Sequence, residues 1–289
     1  MSGFDFSKRD SFGSRLGVIM AAAGSAVGLG NIWRFPYILG ENGGGAFLIV
    51  YLIIIFSIGI PVMMSELVIG RRTQRNPVGA FRMLSSRRPW YLVGMMGIVA
   101  AFMILAFYTA VAGWTLEYIY QILAGGIKGR SSAELTVMFD TFRTDSLRPA
   151  LWFSVFLLAT AGIVLGGVRK GIEKSTKVLM PLLFILLIFM CIKALTLPGA
   201  GKGVEFLFRP DFSKITGTTV LMALGQAFFS LSIGMGTLIT YGSYIPKDNN
   251  LAGTAVQVSM IDLLIAVLAG LAIFPAVFAF GISPASGEA

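Results

Sequence analysis

Histidine is absent from the 289 residues, cysteine occurs once, and charged residues make up only 13% of the chain. Without an imidazole there is no ready base at neutral pH, and no Cys–His pair, Gly-x-Ser-x-Gly turn or Ser–Lys pair within one apolar run takes its place. An intramembrane enzyme is therefore disfavoured. A Walker loop is also missing, so primary ATP-driven transport has no motor. The lone Cys191 sits in an apolar run, which excludes a disulfide framework and a cysteine zinc site. Charge at this level is about half of the roughly 25% of an ordinary soluble domain, too little to cover a soluble surface. Disorder is excluded by a hydrophobic share of 56%. Residues 1–15 are polar and the first apolar segment lacks a small-residue cleavage pattern, so no cleavable signal peptide is expected. What remains is an integral membrane protein.

Mean hydropathy is +0.81, and seven segments approach or exceed the roughly 20 apolar residues needed to span a bilayer. They cover about 15–38, 45–70, 91–124, 150–167, 177–197, 217–243 and 254–281. The third is long enough to tilt or to project beyond the bilayer. Barrel-type strand alternation is missing, so the spans are expected to be helices. With the N-terminus cytoplasmic, the inner segments carry 14 Lys and Arg and the outer segments 8, a positive-inside bias. Of the net charge of +9, the inner segments hold +10, the outer ones +1, and Arg34 with Glu66, Glu117 and Asp262 in the membrane −2. The excess is a topology signal and not a nucleic-acid footprint.

Two spans are unusual. The first reads Gly24-Ser-Ala-Val-Gly28-Leu-Gly30-Asn31 at its centre, and the sixth reads Ser230-Leu-Ser232-Ile-Gly234-Met-Gly236. Each glycine weakens a helix by about 1 kcal/mol relative to Ala. Gly24-x-x-x-Gly28 also suits plain close packing, but packing does not need the interleaved Asn and Ser. Glycine-interrupted segments at matching places in two repeats point to a transporter's central site. A broken helix frees N–H groups, which suit a carboxylate, and carbonyls, which suit a bare cation. Neutral oxygens from Asn31, Ser230 and Ser232 fit Na⁺ better than a transition metal. The residues thus point to an anionic or zwitterionic solute together with a monovalent cation.

Ionisable residues inside a membrane are functional candidates because they are costly to bury. Arg34 just beyond the first break reads as a gate or as a side chain snorkelling to the interface. Glu66 reads as a structural hydrogen bond or ion pair, and Glu117, ahead of Tyr118 and Tyr120, as interfacial. Asp262 has no Lys or Arg within a turn or two, and a nearby Na⁺ would keep it ionised. Tyr108 carries a hydroxyl in an apolar stretch and needs a partner.

These residues resemble the sodium:neurotransmitter symporters, and in particular the bacterial amino-acid transporter branch. The likeness rests on Arg15-Leu-Gly-Val-Ile-Met-Ala-Ala-Ala-Gly-Ser-Ala-Val-Gly-Leu-Gly-Asn-Ile-Trp-Arg-Phe-Pro36 and Glu41-Asn-Gly-Gly-Gly-Ala-Phe47. It continues through Tyr108, Trp114, Gly225-Gln-Ala-Phe-Phe-Ser-Leu-Ser-Ile-Gly-Met-Gly236 and Thr240-Tyr-Gly-Ser-Tyr244. The resemblance implies an all-α inverted-repeat membrane fold with helices 1 and 6 broken. Residues 1–289 would form a single transmembrane domain, with a first five-helix repeat over about 15–197 and the start of a second over about 217–281. It further implies that a first sodium site uses Ala26, Asn31, Ser230 and Asp262, and that Gly24 and Val27 give carbonyls to a second. Leu29 and Gly30 would cradle a substrate carboxylate capped by Tyr108. Ala26, Ile104, Phe229, Ser230, Ser232 and Met235 would line the rest of the pocket. Arg34 and Gln226 resemble the outer gate, and Arg9, Ser243 and Tyr244 the inner one.

Gly28 stands where monoamine-transporting members carry an aspartate, so the resemblance implies a substrate that brings its own carboxylate, an amino acid. Met235, a flexible thioether where a bacterial member has phenylalanine, favours a hydrophobic or aromatic side chain. An acid at 262 resembles the chloride-independent members. The family fold has eleven or twelve spans, so this sequence is expected to hold about the first seven. The eighth, with the acidic partner of Arg9, and the acidic partner of Arg34 would lie outside it. The expected function is Na⁺-coupled amino-acid symport by alternating access across a bacterial cytoplasmic (inner) membrane, with Na⁺ and no organic cofactor. The alternative is a truncated membrane protein that binds a ligand or partner without transporting it. Expected partners are the amino acid, sodium and the lipid bilayer, with no nucleic acid. The oligomeric state is left open.

Overall fold

The computed structural model describes residues 11–85 and 88–285. These form two compact units, residues 99–167 and the remainder, and the fold in the described residues is all-α.

In the larger unit the chain enters α1 (Arg15–Ala26) through Ser14, whose side chain accepts the Gly17 N–H and so satisfies one orphan donor of the first turn. After α1 the chain breaks, resumes as a π-helical turn over Gly30–Arg34, and continues as α2 (Phe35–Glu41). The two halves of this first span are bent by 50°. The second span is α3 (Gly45–Ile54), a π turn over Ile55–Gly59, and α4 (Ile60–Thr73). A short α5 (Pro77–Leu84) follows, capped by Asn76 with proline at the first position, where its missing N–H costs nothing. Next comes α6 (Tyr91–Leu123), whose 33 residues at about 1.5 Å each exceed the roughly 30 Å of a hydrocarbon core.

After the smaller unit, a π turn over Val168–Glu173 leads into α9 (Lys174–Leu195). A short α10 (Ala200–Phe208) precedes α11 (Gly217–Ser230), capped by Thr216. The six-residue α12 (Thr237–Gly242) and α13 (Leu251–Ala279), capped by Asn250, complete the unit. Two glycines let α12 lie directly on α4. A Cβ on Gly242 would stand 2.5 Å from the Leu67 carbonyl oxygen, and one on Gly70 would collide with the Ile239 carbonyl. Phe35, Phe47 and Tyr51 form an aromatic cluster in the core, with Phe47 and Tyr51 stacked at 6.3 Å.

Among the described residues, five helical runs are long and apolar enough to cross a membrane, six with the bent first pair. The sixth expected span differs. Its two helices have 14 and 6 residues and are separated by Leu231–Gly236, so neither reaches spanning length. The fifth run begins at Val168, nine residues earlier than the expected 177, because Arg169, Lys170 and Lys174 prolong the helix on its polar end.

The smaller unit holds α6 from Val99 onward, α7 (Ser132–Thr144) and α8 (Arg148–Leu165). Ser131 and Glu134 form a reciprocal capping box on α7, and the Ser131 backbone and hydroxyl hold the Glu134 carboxyl below its usual range. Glu117 lies near the C-terminal end of α6. It is 4% exposed and takes hydrogen bonds from Arg148 (2.5 Å) and Trp152 (2.5 Å) of α8 and from Gln121 (2.7 Å). A buried carboxylate needs such donors, and they tie α6 to α8.

Candidate functional site

The centre of the larger unit is a polar junction between the two breaks and α13. Asn31, Ser230 and Asp262 are 0%, 1% and 0% exposed. The Asn31 amide nitrogen donates to Ser230 Oγ (2.9 Å), Asp262 Oδ1 (2.8 Å) and the Asp262 carbonyl (3.1 Å). Asn31 Oδ1 accepts the Gly28 N–H at 3.2 Å. Ser230 Oγ lies 2.8 and 3.0 Å from the two carboxylate oxygens of Asp262. The Tyr51 hydroxyl reaches the second of these oxygens at 3.5 Å. In an apolar membrane interior each of these groups would be costly alone, and the junction satisfies them mutually.

The sequence builds this geometry through two chain breaks. In the first, α1 ends at Ala26, and Val27 is extended, its N–H returning to the Ala23 carbonyl. In the second, Ser232, Gly234 and Gly236 have φ of 54°, 85° and 73°. Glycine takes such angles freely, while Ser232 is a non-glycine residue held in the left-handed region. Its hydroxyl donates to the Ser25 carbonyl at 2.8 Å, a bond that fixes it there. Gly30 permits the close approach of Phe229, since a Cβ on it would stand 3.2 Å from that ring. Gln226, 0% exposed, donates to the Gly30 carbonyl at 2.8 Å.

Arg34 donates to Gln226 Oε1 at 2.6 Å, and its guanidinium lies 4.9 Å from the centre of the Phe229 ring. It therefore turns inward onto α11 and does not snorkel. On the opposite side, Ser243 donates to the Thr240 carbonyl at 2.6 Å. Phe12 stacks on Tyr241 at 6.2 Å and meets Tyr244 edge-on at 6.5 Å, and the Phe12 N–H donates to the Tyr244 carbonyl. Arg9 lies outside the described residues. Gly24 faces α9, where a Cβ would meet Thr176 Cγ2 at 3.3 Å, so its side is a packing face as the small-residue spacing allowed. Leu29 leads into the π turn, and Met235 lies in the second break, its carbonyl against Gly97. Ile104 and Tyr108 belong to the smaller unit, where Tyr108 neighbours Phe107 at 6.2 Å between ring centres.

Three participants were not singled out from the sequence. Tyr51 was signalled by a hydroxyl in an apolar run. Glu173, 4% exposed, accepts from the Gly13 N–H (2.7 Å), Ser14 (2.9 Å) and Lys177 (2.6 Å), which fastens the N-terminal approach to the start of α9. Its signal was Lys177 one helical turn away. Phe12 had no signal beyond being an apolar residue in a polar segment.

The profile of the Sodium:neurotransmitter symporter family matches residues 9–132 and 144–284. The chain belongs to this family. Its members are sodium-coupled transporters and not enzymes. A sodium-dependent transporter of Bacillus subtilis (strain 168), described as uncharacterized, is 42% identical over 274 residues, covering 95% of this chain and 61% of that protein. The sodium-dependent neutral amino acid transporter B(0)AT2 of Bos taurus is 32% identical over 297 residues, 92% of this chain and 40% of that one. Among solved structures, MhsT in complex with L-phenylalanine superposes with a TM-score of 0.90 at 50% identity, covering 96% of this chain and 63% of the other. The symporter fold with its first and sixth spans broken is thus the fold of this chain, and the chain spans less than two thirds of the length of each of these proteins.

Proposed function

We propose that this chain carries the ion- and substrate-binding core of a Na⁺-coupled amino-acid symporter working by alternating access. The observation that carries the reading is the buried junction of Asn31, Ser230 and Asp262 between two broken helices. A carboxylate and neutral oxygens in one place suit a hard monovalent cation. A half-turn of the Asn31 amide puts Oδ1 where the nitrogen now points and adds an oxygen to the set. In this reading Ala26, Asn31, Ser230 and Asp262 hold one Na⁺, and the carbonyls of Gly24 and Val27 contribute to a second. Leu29 and Gly30 receive the substrate carboxylate at the first break, with Tyr108 as its cap. Ile104, Phe229, Ser232 and Met235 line the pocket around the side chain. Arg34 and Gln226 close the outer side, and Arg9, Ser243 and Tyr244 the inner.

The substrate is a neutral amino acid with a hydrophobic or aromatic side chain. This accords with the neutral amino acid named for B(0)AT2 and the L-phenylalanine named for MhsT. Asp262 supplies a fixed negative charge beside the ion, so chloride is not required. The membrane is a bacterial cytoplasmic membrane with the N-terminus inside, as the excess of inner Lys and Arg favours. Residues 15–197 form the first repeat and 217–281 begin the second. The protein in proteoliposomes is expected to accumulate labelled neutral amino acid only under an inward Na⁺ gradient. Accumulation unchanged when K⁺ replaces Na⁺ overturns the reading, and binding without accumulation marks a non-transporting binding protein instead.

A further inference from the structure

Glu66 of α4 has no part in the proposed transport site, yet it is 7% exposed in the midst of a spanning run. One carboxyl oxygen, Oε1, accepts the Gly234 N–H of the second break at 2.6 Å. The other, Oε2, is buried and has no hydrogen-bond partner, the one such side-chain atom among the described residues. Beside it lies a cavity of about 180 Å³ between α4, α5, the first turns of α6 and the second break. Its walls are mainly apolar, with Val62, Ile69, Phe81, Val93 and Ile239 prominent, and Glu66 is the one titratable residue on them.

The charged and titratable groups on the neighbouring elements are engaged elsewhere or turned outward. Arg71 of α4 donates to the Asn249 carbonyl at 2.6 Å, and Arg72 is exposed. Arg82 of α5 lies over the Tyr91 ring of α6. Tyr241 of α12 stacks on Phe12, and Asp262 of α13 is held by Asn31 and Ser230. An ionised Glu66 would have the Gly234 N–H on one oxygen, the Ile239 N–H near the carboxyl but outside hydrogen-bond geometry to Oε2, and no counter-ion, an arrangement that buried carboxylates avoid.

We propose that Glu66 is a proton-binding site, neutral in the conformation described here, with its proton on Oε2 and directed into the side cavity. The cavity is roomy enough for several water molecules at roughly 30 Å³ each, and one of them accepts the Oε2 proton. The proton leaves Glu66 to that water and returns by the same route. Oε1 holds the backbone of the second break, and a hydrogen bond to a charged oxygen is roughly twice as strong as one to a neutral one. Protonation of Glu66 and the position of residues 232–236 are therefore linked, and by reciprocity a movement of the break changes the proton's affinity. This inference does not rest on which solute or ion the central site takes.

Infrared spectroscopy of the purified protein at neutral pH tests it without any transport assay. The unaltered protein is expected to show the carbonyl-stretch band of a protonated carboxylic acid. Glu66→Gln, isosteric with the neutral acid, should lose that band, whereas Asp262→Asn should keep it. An equal band in the unaltered protein and in Glu66→Gln overturns the proposal and leaves Glu66 ionised, with a solution cation in the cavity. Should Glu66→Gln fail to fold, glutamate isotope-labelled at the side-chain carboxyl carbon decides the matter in the unaltered chain. The protonated-acid band must then move in the unaltered chain but not in Glu66→Asp, since six other glutamates carry the label, and a stationary band in the unaltered chain overturns the assignment.

Discussion

Replacing Ser230 by alanine removes one hydroxyl from the buried junction and little else, so its effect can be worked from the contacts. The hydroxyl accepts from the Asn31 amide at 2.9 Å and donates to the Asp262 carboxylate, whose oxygens lie at 2.8 and 3.0 Å. Asn31 has two N–H donors for three acceptors and keeps the Asp262 carbonyl and Oδ1 after the change. Its loss is therefore small. Asp262 loses a donor to a charged oxygen, which is worth about 1.5–3 kcal/mol. On the proposed function Ser230 Oγ also ligates the Na⁺, and losing an oxygen ligand to a charge at a similar cost makes Na⁺ binding roughly 10- to 150-fold weaker. Binding of labelled amino acid across a Na⁺ titration measures it, with Ser230→Thr as the variant that restores the hydroxyl. Na⁺ half-saturation should rise by at least tenfold in Ser230→Ala and by no more than a few-fold in Ser230→Thr. A half-saturation within twofold of the unaltered protein for Ser230→Ala would refute the reasoning.

Three further outcomes follow from other contacts. Arg34→Ala forfeits the bond to Gln226 and the stacking on Phe229, about 2–3 kcal/mol together. Bound amino acid should dissociate at least about tenfold faster on dilution, and an unchanged rate contradicts a closing role. Gly236→Ala forces a φ of 73° on a residue with a Cβ 2.6 Å from Pro77 Cγ, costing about 2 kcal/mol or more. Its thermal midpoint should fall by several degrees, whereas Gly225→Ala, whose Cβ meets nothing within 4 Å, should hold or gain. Glu173→Ala frees Gly13, Ser14 and Lys177 at once, a loss of roughly 3 kcal/mol. Trypsin should then cut after Arg15 more than tenfold faster, and equal rates would mean that the carboxylate fastens nothing.

The breaks were legible in the sequence because glycines and small polar residues seldom cluster in the middle of a long apolar run unless the helix gives way there. Asn31, Ser230 and Asp262 could be grouped for a related reason, since polar groups isolated in apolar segments must find one another. Less legible was anything that depends on which way a helix faces. Tyr51 lies in an unbroken apolar run, and only the packing of α3 aims its hydroxyl at Asp262. Glu117 has tyrosines nearby but gives no sign in its sequence of its partners, Arg148 and Trp152, which α8 brings over it. The sixth span read as one segment because Leu231, Ile233 and Met235 keep the hydropathy high through residues whose backbone has left the helix. Hydropathy reports burial and says nothing of φ. Ser232 in particular gives no sign in its sequence of a positive φ, which is set by its bond to Ser25.

The two interrupted spans are laced together. Ser232 binds the Ser25 carbonyl, Gln226 the Gly30 carbonyl, Ser230 the Asn31 amide, and Arg34 the Gln226 side chain. At about 1 kcal/mol for each, and more for the charged one, parting them would cost roughly 4–6 kcal/mol. A separated state would then hold well under one molecule in about five hundred. Apart from the Arg34–Gln226 pair, which closes the outer side, the two breaks then act mechanically as a single moving part. A designed disulfide across this seam should leave the protein's motions almost untouched, because it would fasten two pieces that already travel as one.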